Sequence, residues 1–238
     1  MSPAVEGSFS ALPQVFTFDG VLSDFDGTIV DSTAAIVKHW HKIGQELGVD
    51  PNTILATSHG RRSIDVLKIY DPNKANWEYV SYVEGRIPIE FGSDAREIPG
   101  AAELLVSLEN SGARWGVVTS GTRALIEGWL HVLKLARPHA LVVAEDVKQG
   151  KPDPQCYLLG RSRVGLGDST SIVVLEDAPA GIRAGKAAGF KVIALATTHS
   201  IEKIRGAGAD WVVEDLRSVS VKGVVDGKVQ IEIRDAFQ

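Results

Sequence analysis

Short apolar runs alternate with helix-forming segments from about residue 100 onward, and this alternation limits the possible folds more than any other feature. Each run is rich in valine, isoleucine, leucine or alanine; the runs lie at residues 115–119, 140–144, 171–175, 191–196 and 211–213. Strands that are apolar throughout must be covered on both faces, which is typical of parallel strands joined by helices. The sequence therefore predicts an α/β fold, a three-layer doubly wound parallel sheet.

Residues 33–95 interrupt this pattern. Residues 34–47 carry apolar side chains at helical spacing, and two more helices are predicted near residues 62–69 and 77–91, with no strand between them. We therefore predict a small α-helical cap at residues 33–95, inserted into a catalytic core.

The core is assigned to residues 15–32 and 96–238. An apolar run at residues 15–22 predicts its first strand, and the Asp226-Gly227 turn predicts a hairpin between residues 219–225 and 228–233. Residues 1–14 are small and polar, and we expect them to form a flexible tail.

Composition excludes several classes of partner. The chain has 238 residues and a formal net charge of −5, whereas proteins that coat nucleic acids or anionic membranes are usually basic. We therefore expect no nucleic-acid partner and no membrane partner. Cys156 is the single cysteine, which suits a reducing compartment, and residues 1–13 do not have the composition of a targeting signal. We expect a cytoplasmic monomer.

Polar residues follow the predicted strands, where ligands bind in open α/β sheets. They are Asp24, Asp26, Thr119, Ser120, Gly121, Lys151 in a loop, Glu176 and Asp177. Each also has a purely structural interpretation: the aspartates and Thr119 or Ser120 as turn or helix-cap residues, and Lys151 as a surface lysine. Together, however, these strand ends would meet in one crevice.

The chemistry of this set favours phosphoryl transfer. Asp24 and Asp26 would repel each other unless a cation or a proton lies between them, and the hard oxygen atoms of Asp24, Asp26 and Asp177 suit Mg²⁺. Lys151 could keep a nucleophilic carboxylate ionised and meet a substrate phosphate. The hydroxyl of Thr119 and the backbone N–H groups of Ser120 and Gly121 could face an anion.

Four motifs carry a resemblance to a known family. Residues 24–28 (DFDGT), 117–121 (VVTSG), 150–154 (GKPDP) and 175–182 (LEDAPAGI) resemble, in order, the motifs of the haloacid dehalogenase superfamily with a small helical cap. Residues 58–62 (SHGRR) and segments around the later motifs are similar to its fungal glycerol-3-phosphatase and 2-deoxyglucose-6-phosphatase group.

The resemblance implies a role for each residue of the core. Asp24 is the nucleophile, and Asp26 protonates the leaving alcohol and then activates water. Thr119 and Lys151 bind the phosphoryl group. Asp177 holds Mg²⁺ together with Asp24 and the backbone carbonyl of Asp26, and Glu176 contacts the metal directly or through water.

The cap contributes candidate substrate contacts. The resemblance favours Arg62 as a contact with His59 behind it, and Gly60 and Glu84 complete the candidate set. A solvated arginine, a turn histidine and a solvated helix face explain these positions equally well.

The predicted function is Mg²⁺-dependent hydrolysis of a small polyol or sugar phosphate monoester, with glycerol 3-phosphate favoured. A 2-deoxyglucose-6-phosphate phosphatase is the first alternative. A phosphomutase would need a second phosphate clamp, for which Arg61 and Arg62 are candidates. A non-catalytic protein that binds ligands in the same crevice is the third alternative.

Overall fold

Residues 7–135 and 137–238 are described from a computed structural model. In chain order, the strands are β1 Gln14–Phe18, β2 Gly20–Ser23, β3 Val30–Asp31, β4 Arg96–Glu97, β5 Trp115–Val118, β6 Leu141–Val142, β7 Ile172–Glu176, β8 Lys191–Leu195, β9 Trp211–Val213, β10 Val219–Val225 and β11 Lys228–Ile233. The α-helices are α1 Thr33–Leu47, α2 Pro51–Ser58, α3 Ser63–Tyr70, α4 Trp77–Phe91, α5 Ala101–Asn110, α6 Arg123–Val132, α7 Gln155–Arg163, α8 Pro179–Ala187 and α9 Ile201–Gly206.

A parallel sheet forms the centre of the molecule. Its strand order is β6-β5-β2-β7-β8-β9, and all of the neighbouring pairs are parallel. One apolar core lies on each face: Phe25, Ile126 and Trp129 belong to the first, and Tyr157 and Ile182 to the second. The predicted three-layer, doubly wound α/β fold is confirmed.

The cap consists of α1 to α4, which lie between β3 and β4. These helices have a core of their own, in which Trp40, Ile54, Leu67 and Val80 are buried. Helix α2 was not predicted, although Asp50 accepts a hydrogen bond as its N-cap and Pro51 opens it, which are ordinary start signals. The two chain connections to the cap pair with each other, because β3 and β4 form an antiparallel ribbon.

The apolar run at residues 15–22 forms two strands instead of one. Strand β1 pairs with β11 in an antiparallel sheet of order β1-β11-β10, whereas β2 lies in the middle of the parallel sheet. The chain changes sheets at Asp19, where Oδ2 accepts a hydrogen bond from the backbone N–H of Ser171 at 2.7 Å. The hairpin of β10 and β11 is present as predicted, with a register shift between Val221 and Gly223.

The predicted flexible tail differs from the structure over its second half. Phe9 forms an antiparallel bridge with Phe237, and the backbone N–H of Ala11 donates to the carbonyl of Ala236 at 3.1 Å. Residues 7–13 therefore lie against the C-terminal residues, a long-range pairing that their small polar composition does not reveal. Residues 1–6 of the predicted tail lie outside the described residues. Within the described part of the chain, no helix has the length and apolar character needed to cross a membrane.

Candidate active site

The carboxyl ends of three neighbouring strands converge on one pocket. Strand β2 leads to Asp24, β5 to Thr119 and β7 to Asp177, and the pocket closes beneath the cap. Its volume is about 80 Å³. The core residues that line it include Asp24, Asp26, Ser32, Thr119, Ser120, Gly121, Asp177 and Thr198, and the cap residues include His39, Trp40, Ser58, His59, Gly60, Arg61, Ser63 and Glu84.

Lys151 joins two buried carboxylates behind this pocket. Its Nζ donates to Oδ1 of Asp24 at 2.5 Å and to Oε1 of Glu176 at 2.7 Å. Burial alone would lower the pKa of Lys151, but the two carboxylates outweigh it and raise that pKa well above its ordinary value. The ammonium group therefore remains charged and holds one oxygen of Asp24. Oδ2 of Asp24 accepts no hydrogen bond from the described residues.

Glu176 is fully buried, and both of its oxygens are engaged. Oε1 accepts from Lys151 and from the hydroxyl of Tyr157 at 3.1 Å. Oε2 accepts from the backbone N–H groups of Asp177 and Ala178, each at 2.8 Å. Gly181 leaves the space for this arrangement, since a Cβ at that position would overlap the Glu176 carboxylate.

Asp26 lies at the edge of the pocket and is held by a residue next to the cap. Its Oδ1 accepts a hydrogen bond from the hydroxyl of Ser32 at 2.6 Å. Burial raises the pKa of Asp26 to about 6, although the bond from Ser32 works in the opposite direction. Its carboxyl group can therefore exchange a proton near neutral pH, as a general acid–base must.

Asp177 is held by hydroxyl groups from both sides. Oδ1 accepts from Thr28 at 3.3 Å, and Oδ2 accepts from Thr198. Gly27, with φ of 89°, lets the loop after β2 approach, because a Cβ there would meet the Asp177 carboxylate. Burial, reinforced by the charge of Glu176, raises the pKa of Asp177 to about 7.

These carboxylates fit a divalent cation. Oxygen atoms of Asp24, Glu176 and Asp177 lie within 4.8 Å of one another, which is the spacing of a possible metal site. Lys151 supplies one positive charge to three buried acids, and burial together with the neighbouring acids raises the pKa of both Asp24 and Asp177. A cation would stabilise their ionised forms. Hard oxygen donors of this kind suit Mg²⁺. One oxygen of Asp24 accepts no hydrogen bond from the described residues and each oxygen of Asp177 accepts one, whereas each oxygen of Glu176 already accepts two.

The loop after β5 differs in detail from its expected arrangement. The backbone N–H of Gly121 donates to Oγ1 of Thr119 at 2.9 Å, and the hydroxyl of Ser120 donates to the carbonyl of Gly60 in the cap at 2.9 Å. Neither Thr119 nor Ser120 caps a helix. Thr122 is the N-cap of α6, and its hydroxyl accepts from the N–H of Leu125. The hydroxyl of Thr119 is therefore available to the pocket.

Glu84 lies buried between the cap and the core. Its Oε1 accepts from the hydroxyl of Ser63 at 2.5 Å, and its Oε2 accepts from the backbone N–H of Thr122 at 2.7 Å. Burial raises the pKa of Glu84 to about 7, against these hydrogen bonds. The structure thus places Glu84 in the pocket wall, and the solvated helix face considered from the sequence is not observed.

His59 and Gly60 form the part of the cap that meets the core loops. The His59 ring lies edge-on to that of His199, with centroids 5.5 Å apart. Gly60 has φ of 71°, and a Cβ there would lie 2.7 Å from Cβ of Ala178. A larger residue would therefore separate the cap from the core.

Arg62 occupies a different place from the other cap candidates. Arg61 lines the pocket, whereas Arg62 is buried beside it and directs its guanidinium to backbone carbonyls of the core. The structure therefore brings His59, Gly60 and Glu84 to the pocket and leaves Arg62 outside its lining.

Comparisons with known proteins agree with this geometry. The family model described as haloacid dehalogenase-like hydrolase matches residues 21–195. The chain belongs to this family.

Similar members of the family carry the names of phosphatases. Glycerol-1-phosphate phosphohydrolase 1 of Saccharomyces cerevisiae is 39% identical over 217 residues, which cover 88% of this chain and 87% of that protein. 2-Deoxyglucose-6-phosphate phosphatase 1 of the same yeast is 34% identical, with 92% and 97% covered. A solved hydrolase from Pseudomonas syringae superposes with a TM-score of 0.73 at 25% identity, over 83% of this chain and 94% of that one.

In this haloacid dehalogenase-like hydrolase, several residues of the site were not identified from the sequence. Ser32, Thr198 and Tyr157 contact Asp26, Asp177 and Glu176, respectively. Ser32 lies six residues after Asp26, at the first connection to the cap, and this position in the sequence could have identified it as a site residue. Thr198 follows β8 and also lies at the carboxyl edge of the sheet, whereas Tyr157 reaches the site from the interior of a helix that gives no such indication.

Proposed function

We propose that this protein is a phosphomonoesterase that forms an aspartyl phosphate on Asp24 and hydrolyses a small polyol or sugar phosphate. One observation carries the proposal. A buried carboxylate at the end of β2 is held through one oxygen by a buried lysine, at the floor of a pocket that Thr119 and Asp177 also line. The bond from Lys151 orients the Asp24 carboxylate at the pocket floor, where it would attack a bound phosphoryl group.

The residues of the chain divide the chemistry among them. Asp24 attacks phosphorus, while Lys151 and Thr119 stabilise the charge on the phosphoryl oxygens. Asp26 gives its proton to the leaving alcohol oxygen, and Ser32 keeps it oriented. Asp26 then takes a proton from the water that attacks the aspartyl phosphate. Positioning and electrostatic stabilisation supply most of the rate in phosphoryl transfer, which suits a site this strongly bonded.

We propose Mg²⁺ as the metal of this site. Asp24 and Asp177 would hold it with the backbone carbonyl of Asp26, and it would neutralise negative charge on the phosphoryl group when bound. Glu176 would not bind the metal itself. It would orient Lys151 and hold the backbone beside Asp177 through two hydrogen bonds.

The pocket favours a glycerol phosphate over a hexose phosphate. Its volume is only about 80 Å³ with the cap in its present position. A hexose therefore requires a larger displacement of the cap than glycerol does. The names of the similar yeast enzymes support both substrates. The acidic charge and the single cysteine support a cytoplasmic enzyme, and we propose that it acts as a monomer.

A phosphate-release assay tests this function. The protein is incubated with Mg²⁺ and, separately, with both enantiomers of glycerol phosphate, 2-deoxyglucose 6-phosphate and glucose 6-phosphate. We expect the highest kcat/KM with a glycerol phosphate, no activity in excess EDTA, and one phosphate released for each ester consumed. Consumption of a sugar phosphate without phosphate release would identify a mutase. Inactivity on every ester in the presence of Mg²⁺ would favour a binding protein.

A further inference from the structure

Arg62 connects the cap to the segment of the core that leads to Lys151. It precedes α3, and its side chain is only 3% exposed. The guanidinium donates to three backbone carbonyls of this segment: Ala144 at 3.3 Å, Val147 at 2.6 Å and Lys148 at 3.1 Å. Its Nε donates to Asp65 of the cap at 2.7 Å. These four contacts use most of the N–H donors of the side chain, so Arg62 has little capacity left to bind a substrate.

Gly150 shows how closely the Arg62 side chain crosses the segment. A Cβ at Gly150 would lie 2.6 Å from Nε of Arg62 and 3.0 Å from its Cδ and Cγ. Gly150 is not among the glycines with a positive φ, so its backbone conformation is open to alanine. The side chain of Arg62 is thus the obstacle to a larger residue at this position, immediately before Lys151.

The core holds the same segment from the other side. The backbone N–H groups of Lys148 and Gln149 donate to Oε1 of Gln155 at 2.8 and 3.0 Å. The bonds of Gln155 to the amide groups come from within the core, whereas the bonds of Arg62 to the carbonyl groups come from the cap. Opening the cap would break three charge-assisted hydrogen bonds and leave those carbonyls without the guanidinium.

We propose that Arg62 is a positioning residue that couples closure of the cap to the placement of Lys151. The consequence for catalysis rests on the proposed function. Lys151 holds Asp24 at 2.5 Å, so a loosened segment misplaces the charge beside the nucleophile. The nucleophile is then fully organised only after the cap has closed and excluded water.

A double-mutant cycle between Arg62 and Gly150 tests the coupling. Arg62→Ala removes the guanidinium that binds the carbonyls of residues 144–148, and Gly150→Ala displaces this guanidinium by steric overlap. We expect each variant to lower kcat by about 10- to 100-fold, the range of a small misplacement, with KM changed less than about threefold. Because the overlap needs the arginine, the double variant should be no slower than Arg62→Ala alone. Arg86→Ala, at an exposed cap arginine, and Gly206→Ala, at a glycine with open space around it, are the matched controls.

Two further measurements distinguish this role from others. Arg62→Lys keeps the positive charge but not the several N–H donors of the guanidinium, and we expect a partial loss of kcat. This variant also replaces Arg62→Ala if the alanine variant fails to fold. Amide hydrogen exchange at residues 147–151 should accelerate in Arg62→Lys and not in Arg86→Ala. A raised KM with unchanged kcat would make Arg62 a substrate contact and overturn the proposal. The proposal would also be overturned if the two losses of kcat multiplied in the double variant, or if amide hydrogen exchange at residues 147–151 were unchanged in Arg62→Lys.

The outcome remains separable from that of the proposed function. If the parent protein releases no phosphate from any ester, the function is wrong, and the exchange measurement still decides whether Arg62 holds the segment. If the parent is active and Arg62→Lys matches it in kcat and in exchange, the function stands and the coupling is wrong.

Discussion

Glu176→Gln separates a structural role of this residue from metal ligation. The carboxylate accepts four hydrogen bonds, from Lys151, Tyr157 and the N–H groups of Asp177 and Ala178. A glutamine has one acceptor oxygen, so its NH₂ group must face two of these donors. The hydroxyl of Tyr157 can turn and accept, which directs the NH₂ group toward Lys151. The variant therefore loses the buried ion pair at 2.7 Å.

We expect Glu176→Gln to lower the free energy of unfolding by about 1–3 kcal/mol, the usual cost of a mismatched buried hydrogen bond, because Asp24 still pairs with Lys151. Urea unfolding followed by circular dichroism measures this change. Glu103→Gln, at an exposed position of α5, is the control and should stay within about 0.5 kcal/mol of the parent. The Mg²⁺ concentration for half-maximal activity should change less than about threefold, because Asp24 and Asp177 remain. An unchanged free energy of unfolding, together with a tenfold higher Mg²⁺ concentration for half-maximal activity, would refute this reasoning and make Glu176 a ligand.

Three other changes have definite expected results. Asp24→Asn should abolish phosphate release and leave cooperative thermal unfolding intact; turnover comparable to the parent on any ester would exclude Asp24 as the nucleophile. Burial lowers the pKa of His39 to about 4. Because the unfolded chain binds that proton first, His39 alone should lower stability between pH 6.5 and pH 4 by at most ~3 kcal/mol, whereas the raised pKa values of Asp26, Glu84 and Asp177 act in the opposite direction. In urea unfolding, the free energy of the parent minus that of His39→Gln should therefore fall over this range, and a difference that does not change with pH would contradict the assignment. Gly60→Ala should weaken cap closure, through its positive φ and its contact with Ala178, and raise KM by about tenfold or more; an unaltered KM would show that the cap tolerates the added methyl group.

Local sequence patterns predicted where the polar residues of the candidate site lie, because these residues follow the strands. Asp24, Thr119 and Asp177 come directly after apolar runs, and parallel strands carry such residues to one edge. The hairpin around Asp226-Gly227 was equally local, since a two-residue turn determines its own register.

Long-range contacts account for what was not predicted. Arg62 and Arg61 are adjacent in a polar segment, and only the position of residues 144–150 sends one to the core and the other to the pocket. The division of residues 15–22 into two strands depends on β11, more than 200 residues later. Residues 7–13 pair with the C-terminus for the same reason, and their own composition contains no sign of that partner.

The paired connections to the cap have an evolutionary consequence. Val30 lies opposite Glu97 and Asp31 opposite Arg96, so the chain leaves the core and returns to it one strand spacing apart, about 5 Å. The pairing of β3 with β4 thus holds the two ends of the insertion together. It offsets part of the conformational entropy lost when that loop is closed. We expect a cap joined at these two ends to leave Asp24 and Asp177 in place only if it also supplies a guanidinium where Arg62 binds residues 144–148. Under that condition, exchange of one segment can change substrate preference and keep the strand ends of the core.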